Sequence, residues 1–280
     1  MTLAEFSTKF RKDFKNQFNE NELNNHLAIL FDFYLGFSRA QVVLNAENLL
    51  EEQVLDRLNL AIAELREHKP IDYIINQSVF YGREFYVDES VLVPRSETEE
   101  LVQWILEREE TKGKTILDIG TGSGCIPITL YLEGDFEKVD ATEVSESATK
   151  TAIKNAELLK ANVNIEVHDI LTQIPKELYD IVVSNPPYVK REELDALDKN
   201  VIEYEPVIAL APESDDPLLF YKRMAEIAPN MIKSNGILYW EIHEDLGAEC
   251  MEILKTGGFT EVELKEDIYG RDRMIRAVLV

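Results

Sequence analysis

Cysteine is nearly absent. Cys125 and Cys250 are the only two in 280 residues, which excludes a disulfide framework and makes a reducing, cytoplasmic setting the expectation. No run of about 18 apolar residues occurs, so no segment is expected to cross a membrane. The opening "MTLAEFSTKFRKDF" lacks the apolar stretch of a secretory signal. Positive charge is scarce: 29 Lys and Arg stand against 53 Asp and Glu, a formal −24. A field of that sign repels polyphosphate, and with no basic stretch the chain is expected to make no direct contact with nucleic acid. Internal repeats and low-complexity segments are missing too.

What is there divides by periodicity. In the first 70 or so residues apolar side chains recur at helical spacing. Phe6, Phe10 and Phe14 share one face. Leu23, Leu27, Leu30, Phe31 and Tyr34 share another, and that segment stops at Gly36. Val54, Leu58, Ile62 and Leu65 mark a third helix that ends before Pro70. Residues 78–93 switch to aromatic and β-branched residues around Gly82 and Asp88-Glu89, which predicts a short hairpin. Ser96 and Glu99 fit a capping box for the helix that follows.

From residue 114 strands and helices alternate. "KTILDIG", "KVDATEV", "NIEVHD", "YDIVVSN", "ILYWEIH", "FTEVELKED" and "RMIRAVLV" read as seven strands. "CIPITLYLEG", "SESATKTAIKNAELLKA", "DPLLFYKRMAEIAPNMIKSNG" and "LGAECMEILKTGG" read as helices between them. The pattern predicts an α/β fold with a mostly parallel seven-stranded sheet, helices on both faces and an antiparallel pair at the end. Ligands of such sheets sit beyond the carboxyl ends of the strands. The expected division is a helical domain at 1–76, a hairpin linker at 77–95 and an α/β domain at 96–280.

Candidate site residues fall at those strand ends. Gly120, Thr121, Gly122, Ser123 and Gly124 form a turn in which the chain can approach a ligand closely. A dinucleotide fingerprint would place glycine or alanine where Cys125 stands, and no Gly-Lys-Ser/Thr follows for a phosphate loop. The spacing suits a nucleoside ligand without a phosphate, chiefly S-adenosylmethionine. Glu143 ends the next strand, 23 residues after Gly120, where an acid accepts ribose hydroxyls. Asp169 and Ile170 follow the strand after that, where an adenine would lie. His26, His168 and His243 belong to no constellation and are expected to be structural or exposed.

The most specific stretch is "IVVSNPPY", Ile181 to Tyr188. A strand runs into Asn185, Pro186, Pro187 and Tyr188. Each proline fixes φ and removes a backbone donor, so the segment is a rigid bracket. The Asn185 side-chain oxygen and the Pro186 carbonyl can both accept from one planar NH₂ group, with the Tyr188 ring over its face. Such a grip suits methyl transfer to an amide or aromatic amine nitrogen, whose lone pair is delocalised. It holds the nitrogen in line and stabilises the charge that develops, without a metal.

With the glycine turn, this bracket resembles class I (Rossmann-like) S-adenosylmethionine-dependent amino-methyltransferases. The chain is most similar to the HemK/PrmC protein-(glutamine-N5) methyltransferases. Segments that carry the likeness include "ILDIGTGSGCIPI", "DIVVSNPPYV", "EYEPVIAL", "GILYWEI" and "GRDRMIRAV". The resemblance implies methyl transfer from S-adenosyl-L-methionine to the glutamine of the Gly-Gly-Gln motif in peptide chain release factors, with S-adenosyl-L-homocysteine as product. It implies that Gly120 to Gly124, Glu143, Ile170 and Asn185 bind the cofactor, that Asn185 to Tyr188 hold the glutamine, and that the helical domain docks the release factor. A monomer is expected. Ser96 stands where the family has proline, Glu143 where it has aspartate and His243 where it has glycine, and "APESDDPLL" lacks the family's glycines. Ser96 also fits a sister family that methylates a large-subunit ribosomal protein. A DNA adenine methyltransferase would use a similar bracket but needs a basic groove. A non-catalytic binding module would be expected to have lost the bracket or the glycine turn.

Overall fold

Phenylalanine at every fourth position makes one helical face apolar, and burial of that face starts the fold. α1 (Leu3–Phe14) buries Leu3, Phe6, Phe10 and Phe14. α2 (Glu20–Leu35) buries Leu23, Leu27, Leu30 and Phe31, and ends at Gly36 in the left-handed conformation, φ 65°. α3 (Arg39–Leu44) and α4 (Glu52–Arg66) follow, with Leu58, Ala61, Ile62 and Leu65 of α4 completing the cluster. α5 (Ile71–Ile75) closes the unit. Capping boxes at Thr2/Glu5 and Asn19/Glu22 satisfy the first amides of α1 and α2. The computed structural model describes all residues, 1–280, and divides into two compact units, Met1–Ile75 and Asn76–Val280.

The second unit opens with a hairpin of β1 (Ser78–Phe80) and β2 (Arg83–Phe85). Its two turn residues, Tyr81 and Gly82, have φ of 50° and 72°, the geometry that matches the twist of paired strands. Phe80 and Phe85 meet edge to face, with ring centroids 6.0 Å apart, and are fully buried with Leu101 and Ile105. The hairpin is thus part of this unit's core. α6 (Ser96–Arg108), β3 (Thr115–Ile119), α7 (Cys125–Glu133), β4 (Lys138–Glu143), α8 (Glu146–Leu159), β5 (Asn164–Val167) and β6 (Tyr179–Ser184) follow. After three short helices, α9 (Arg191–Leu194), α10 (Lys199–Ile202) and α11 (Val207–Leu210), come α12 (Leu219–Ile227), β7 (Ile232–Glu241), α13 (Gly247–Thr256), β8 (Phe259–Glu266) and β9 (Asp272–Leu279).

The sheet order is β5-β4-β3-β6-β7-β9-β8. The first five strands are parallel, and β9 inserts antiparallel between β7 and β8, as the two consecutive strands at the end of the sequence led us to expect. Register sets the site. Ile119 lies opposite both Thr142 and Ser184, and Ser184 lies opposite Trp240. The carboxyl ends of β3, β4, β6 and β7 are therefore flush, and the residues just past them meet at one edge.

Two local expectations differ from the structure. Ser96 does not cap α6. The cap position is Arg95 without a side-chain bond, and the Glu99 carboxylate instead accepts the Tyr81 amide at 2.7 Å. The hairpin turn outcompetes the helix end for that acceptor. The helix expected to reach Gly236 stops at Ile227, because Pro229 cannot continue it, and β7 begins at Ile232. Phe85→Ala should cost about 3–5 kcal/mol, the usual loss for an emptied aromatic site. Urea unfolding of the purified chain reads this, and a loss below about 1 kcal/mol would contradict the packing described.

Candidate active site

Three glycines with positive φ make the loop that joins β3 to α7. Gly120, Gly122 and Gly124 have φ of 74°, 54° and 81°. A Cβ on Gly124 would also lie 2.9 Å from the Ile128 side chain and 3.3 Å from Ala152, so this turn excludes any larger residue on two counts. The Gly120 and Thr121 amides donate to the Thr142 carbonyl at 2.9 and 3.0 Å, which ties the loop to the end of β4. Asn155 of α8, fully buried, donates to the Ser123 carbonyl at 2.8 Å and to the Tyr86 carbonyl at 2.9 Å, and its oxygen accepts the Tyr86 amide. One side chain thereby joins α8, the glycine loop and the segment after the hairpin.

A cavity of about 350 Å³ opens at this edge of the sheet. Gly120 to Ser123, Glu143, Asp169, Ile170, Asn185, Pro186 and Pro187 all line it. The residues singled out from sequence therefore converge, with two exceptions. Gly124 is the N-cap residue of α7 and does not line the cavity. Tyr188 is not on the wall: its hydroxyl donates to Glu241 at 3.0 Å and its ring stands edge-on to His243.

Glu143 is buried and accepts two backbone amides, Gly122 at 2.9 Å on one oxygen and Ser145 at 3.0 Å on the other. A carboxylate has about four acceptor positions, so two remain. Asp169 accepts the Leu171 amide at 2.9 Å and the Thr172 hydroxyl at 2.8 Å, which folds the chain after β5 and turns the apolar side chain of Ile170 into the core. His243 lies 3.1 Å from Glu193, and the His26 ring packs edge-on against Phe18, so both histidines have structural partners.

The sequence reading missed three features. Asn185 donates its Nδ2 to the Thr98 hydroxyl at 3.1 Å, and Thr98 donates to Glu241 at 2.7 Å. Thr98, on the cavity wall, is 3% exposed and Glu241 1%. Burial pushes the Glu241 carboxyl above its ordinary range, and the Thr98 and Tyr188 hydroxyls and the Arg273 charge pull it back. Arg95, also on the cavity wall, places one nitrogen 2.7 and 2.8 Å from the two oxygens of buried Glu205. Asp118, at the end of β3, is buried and neither of its oxygens makes a hydrogen bond of ordinary geometry. A flush strand end was the available signal for Glu241, but its partner Thr98 is 143 positions away.

Burial pushes the Asp118 carboxyl up to about 7, against the pull of the Thr121 hydroxyl and with a push from Glu143. It also pushes the Cys125 thiol up to about 12, which leaves no thiolate for chemistry at neutral pH. The raised Asp118 value means that the folded, ligand-free chain holds a proton that the unfolded chain has released. Its contribution to stability is full below about pH 4 and is lost as pH rises through about 7. Asp118→Asn removes that titration. The melting temperature of the variant relative to the parent should therefore rise from pH 5 to pH 8. A difference that stays constant with pH would contradict the assignment.

Known proteins resemble this chain in sequence and in fold. Residues 9–75 match the PrmC N-terminal domain and residues 97–206 match the Methyltransferase small domain. The release factor glutamine methyltransferase of Flavobacterium psychrophilum is 40% identical over 281 residues, 99% of either chain. That of Bacteroides thetaiotaomicron is 38% identical over 87% of this chain and 88% of its own, and that of Bacillus subtilis 37% over 97% and 96%. Among solved structures, a methyltransferase from Pyrococcus furiosus covers 81% of this chain and 98% of its own at a TM-score of 0.54 and 17% identity, a likeness of fold. The sheet is that of the class I methyltransferases. With near-full-length relatives at this level of identity, the chain belongs to the release factor glutamine methyltransferase family.

Proposed function

We propose that this chain transfers a methyl group from S-adenosyl-L-methionine to the side-chain amide nitrogen of the glutamine in the Gly-Gly-Gln motif of peptide chain release factors. The observation that carries the reading is a rigid Asn185-Pro186-Pro187 bracket on the wall of the same cavity as a glycine loop and a strand-end carboxylate. The relatives' names supply the substrate class.

The residues fit the cofactor. Asp118, a buried carboxyl under the glycine loop without a hydrogen bond of ordinary geometry, releases its proton and offers negative charge when a positively charged ligand binds. Gly120 to Gly124 let the ligand approach the backbone, the two open acceptor positions of Glu143 take the ribose hydroxyls, and Asp169 with Ile170 borders the adenine. When bound, S-adenosylmethionine would supply an electrophilic methyl group on a sulfonium, whose sulfur keeps the bonding pair and leaves as the neutral thioether S-adenosylhomocysteine.

Asn185 and Pro186 bind and orient the glutamine amide. Their two acceptor oxygens take its two hydrogens, fix the nitrogen towards the methyl group and favour the positive charge it gains in the transition state. Pro187 stiffens the bracket, and Tyr188 braces it from behind through Glu241. No side chain need act as a strong base, because the methylated nitrogen becomes acidic and releases its proton to the surrounding acceptors and solvent. In this reading the helical unit, Met1–Ile75, docks the release factor. The enzyme acts as a monomer in the cytoplasm, without direct contact to nucleic acid, which the −24 charge disfavours.

Tritiated-methyl transfer to purified release factor, large-subunit ribosomal protein and duplex DNA, presented side by side, tests the proposal. Label on the glutamine of a Gly-Gly-Gln peptide, located by mass spectrometry, is the expected result. Label on the ribosomal protein alone would change the substrate, and label on DNA would overturn the amide reading. Asn185→Ala should lower kcat by about 10²–10³-fold, the range seen when one charge-stabilising hydrogen bond is removed from a reacting centre. Glu143→Ala should weaken calorimetric affinity for the cofactor at least about tenfold, a loss of about 1.4 kcal/mol. Unchanged values would contradict the respective roles.

A further inference from the structure

An asparagine can turn either end of its amide to a ligand. Oδ1 and Nδ2 are nearly the same size, so packing alone chooses poorly between them. Only one end suits an NH₂ group. Had Asn185 presented its nitrogen to the cavity, donor would face donor.

We propose that Thr98 and Glu241 make this choice. They form a positioning relay that holds the Asn185 oxygen towards the cavity and so selects a carboxamide over a carboxylate substrate. The inference rests on the reaction proposed above and names what sets its selectivity.

Glu241 closes β7 beside the end of β6, because Ser184 pairs with Trp240. Its backbone carbonyl accepts the buried Tyr221 hydroxyl at 3.0 Å, which fixes the strand end. Its two carboxylate oxygens each take one hydroxyl, Tyr188 at 3.0 Å and Thr98 at 2.7 Å. The Tyr188 hydroxyl stays protonated, since burial and the nearby Glu241 push its pKa up, so it donates. With both oxygens taken by hydroxyl hydrogens, the Glu241 carboxylate only accepts. Thr98 has one hydroxyl hydrogen, and Glu241 takes it. Towards Asn185, 3.1 Å away, Thr98 is then an acceptor only, and Nδ2 must be the end that faces it. Oδ1 is left for the cavity that Asn185 lines.

The consequence is discrimination between two groups of nearly equal shape. A glutamine amide meets acceptors that match its hydrogens. A glutamate carboxylate meets the same acceptors and is repelled. Without the relay Asn185 can reverse, and its Nδ2 would then donate to a carboxylate. Glu241 lies behind the cavity and Thr98 on its wall, and both act through Asn185.

The test uses Thr98→Val, which keeps the shape and removes the hydroxyl, and Thr98→Ser, which keeps the hydroxyl. Binding is measured on the S-adenosylhomocysteine-loaded enzyme, with a release factor and with the same protein carrying glutamate at the target position. We expect the valine variant to lose about tenfold or more of the glutamine-over-glutamate preference, since a site that pairs polar groups discriminates through them. Its kcat should fall about tenfold, less than direct removal of the acceptor would cause. The serine variant should restore most of both. Equal weakening of both proteins, or a preference that stays at the parent value, would mean that Thr98 is merely structural and would overturn the proposal.

Failure of the parent enzyme to methylate the release factor would count against the reaction and not the relay. The relay then stands on the Asn185 side-chain amide hydrogens, followed by NMR exchange with solvent. Exchange should be slow in the parent and in Thr98→Ser and at least about tenfold faster in Thr98→Val, as a lost protecting bond requires. Equal exchange in all three would refute it.

Discussion

A carboxylate keeps its charge in an apolar core only with donors around it. Glu241, 1% exposed, therefore dictates what surrounds it. Thr98 from the first turn of α6 and Tyr188 from the bracket after β6 donate to the carboxylate, and Tyr221 from α12 holds the backbone carbonyl of the same residue. Four segments far apart in sequence are brought to one point at the end of β7. The bracket is rigid because of its prolines, but its position comes from this buried acid. Asn185 inherits that order through Thr98, so the same bonds that satisfy a buried charge also aim the reactive end of the site.

The glycine loop shows the same economy at the other side of the cavity. Glu143 holds the loop through the Gly122 and Ser145 amides and keeps acceptor positions for a ligand. Asn155 ties the loop to the segment after the hairpin. Asp118 is the opposite case, a buried carboxylate without such bonds, and its proton affinity rises accordingly. It trades stability of the ligand-free chain for negative charge beneath a site meant for a cationic ligand. Stability and binding are opposed at this residue and aligned at Glu143 and Glu241.

Much of this was legible from the residues alone. Three of the five helices of the first unit, α1, α2 and α4, followed from apolar spacing, and seven strands followed from alternation, because local periodicity records which face is buried. Gly120, Gly122, Glu143, Asp169 and Asn185 were legible as strand-end residues, since chemistry at those ends does not require knowledge of the sheet order. Glu241 and Thr98 were not. They meet only because β7 lies beside β6 in the sheet and α6 packs at the same edge, facts that depend on strand order and register. Local rules failed where a distant group competed for the same atom. Glu99 looked like half of a capping box, yet the Tyr81 amide takes its carboxylate. Tyr188 was expected over the substrate amide, yet buried Glu241 draws its hydroxyl inward. In both cases tertiary contacts outweighed a local motif.

Which end of the Asn185 amide faces the cavity decides whether the site can grip an NH₂ group. Neutron diffraction from deuterium-exchanged crystals measures this directly, because nitrogen and oxygen scatter differently and deuterium is visible. Two deuterium atoms on the side-chain nitrogen, one of them on the line to the Thr98 oxygen, with the Thr98 deuterium towards Glu241, is the predicted result. An Asn185 oxygen that accepts from Thr98, with the amide deuterium atoms in the cavity, would contradict the account.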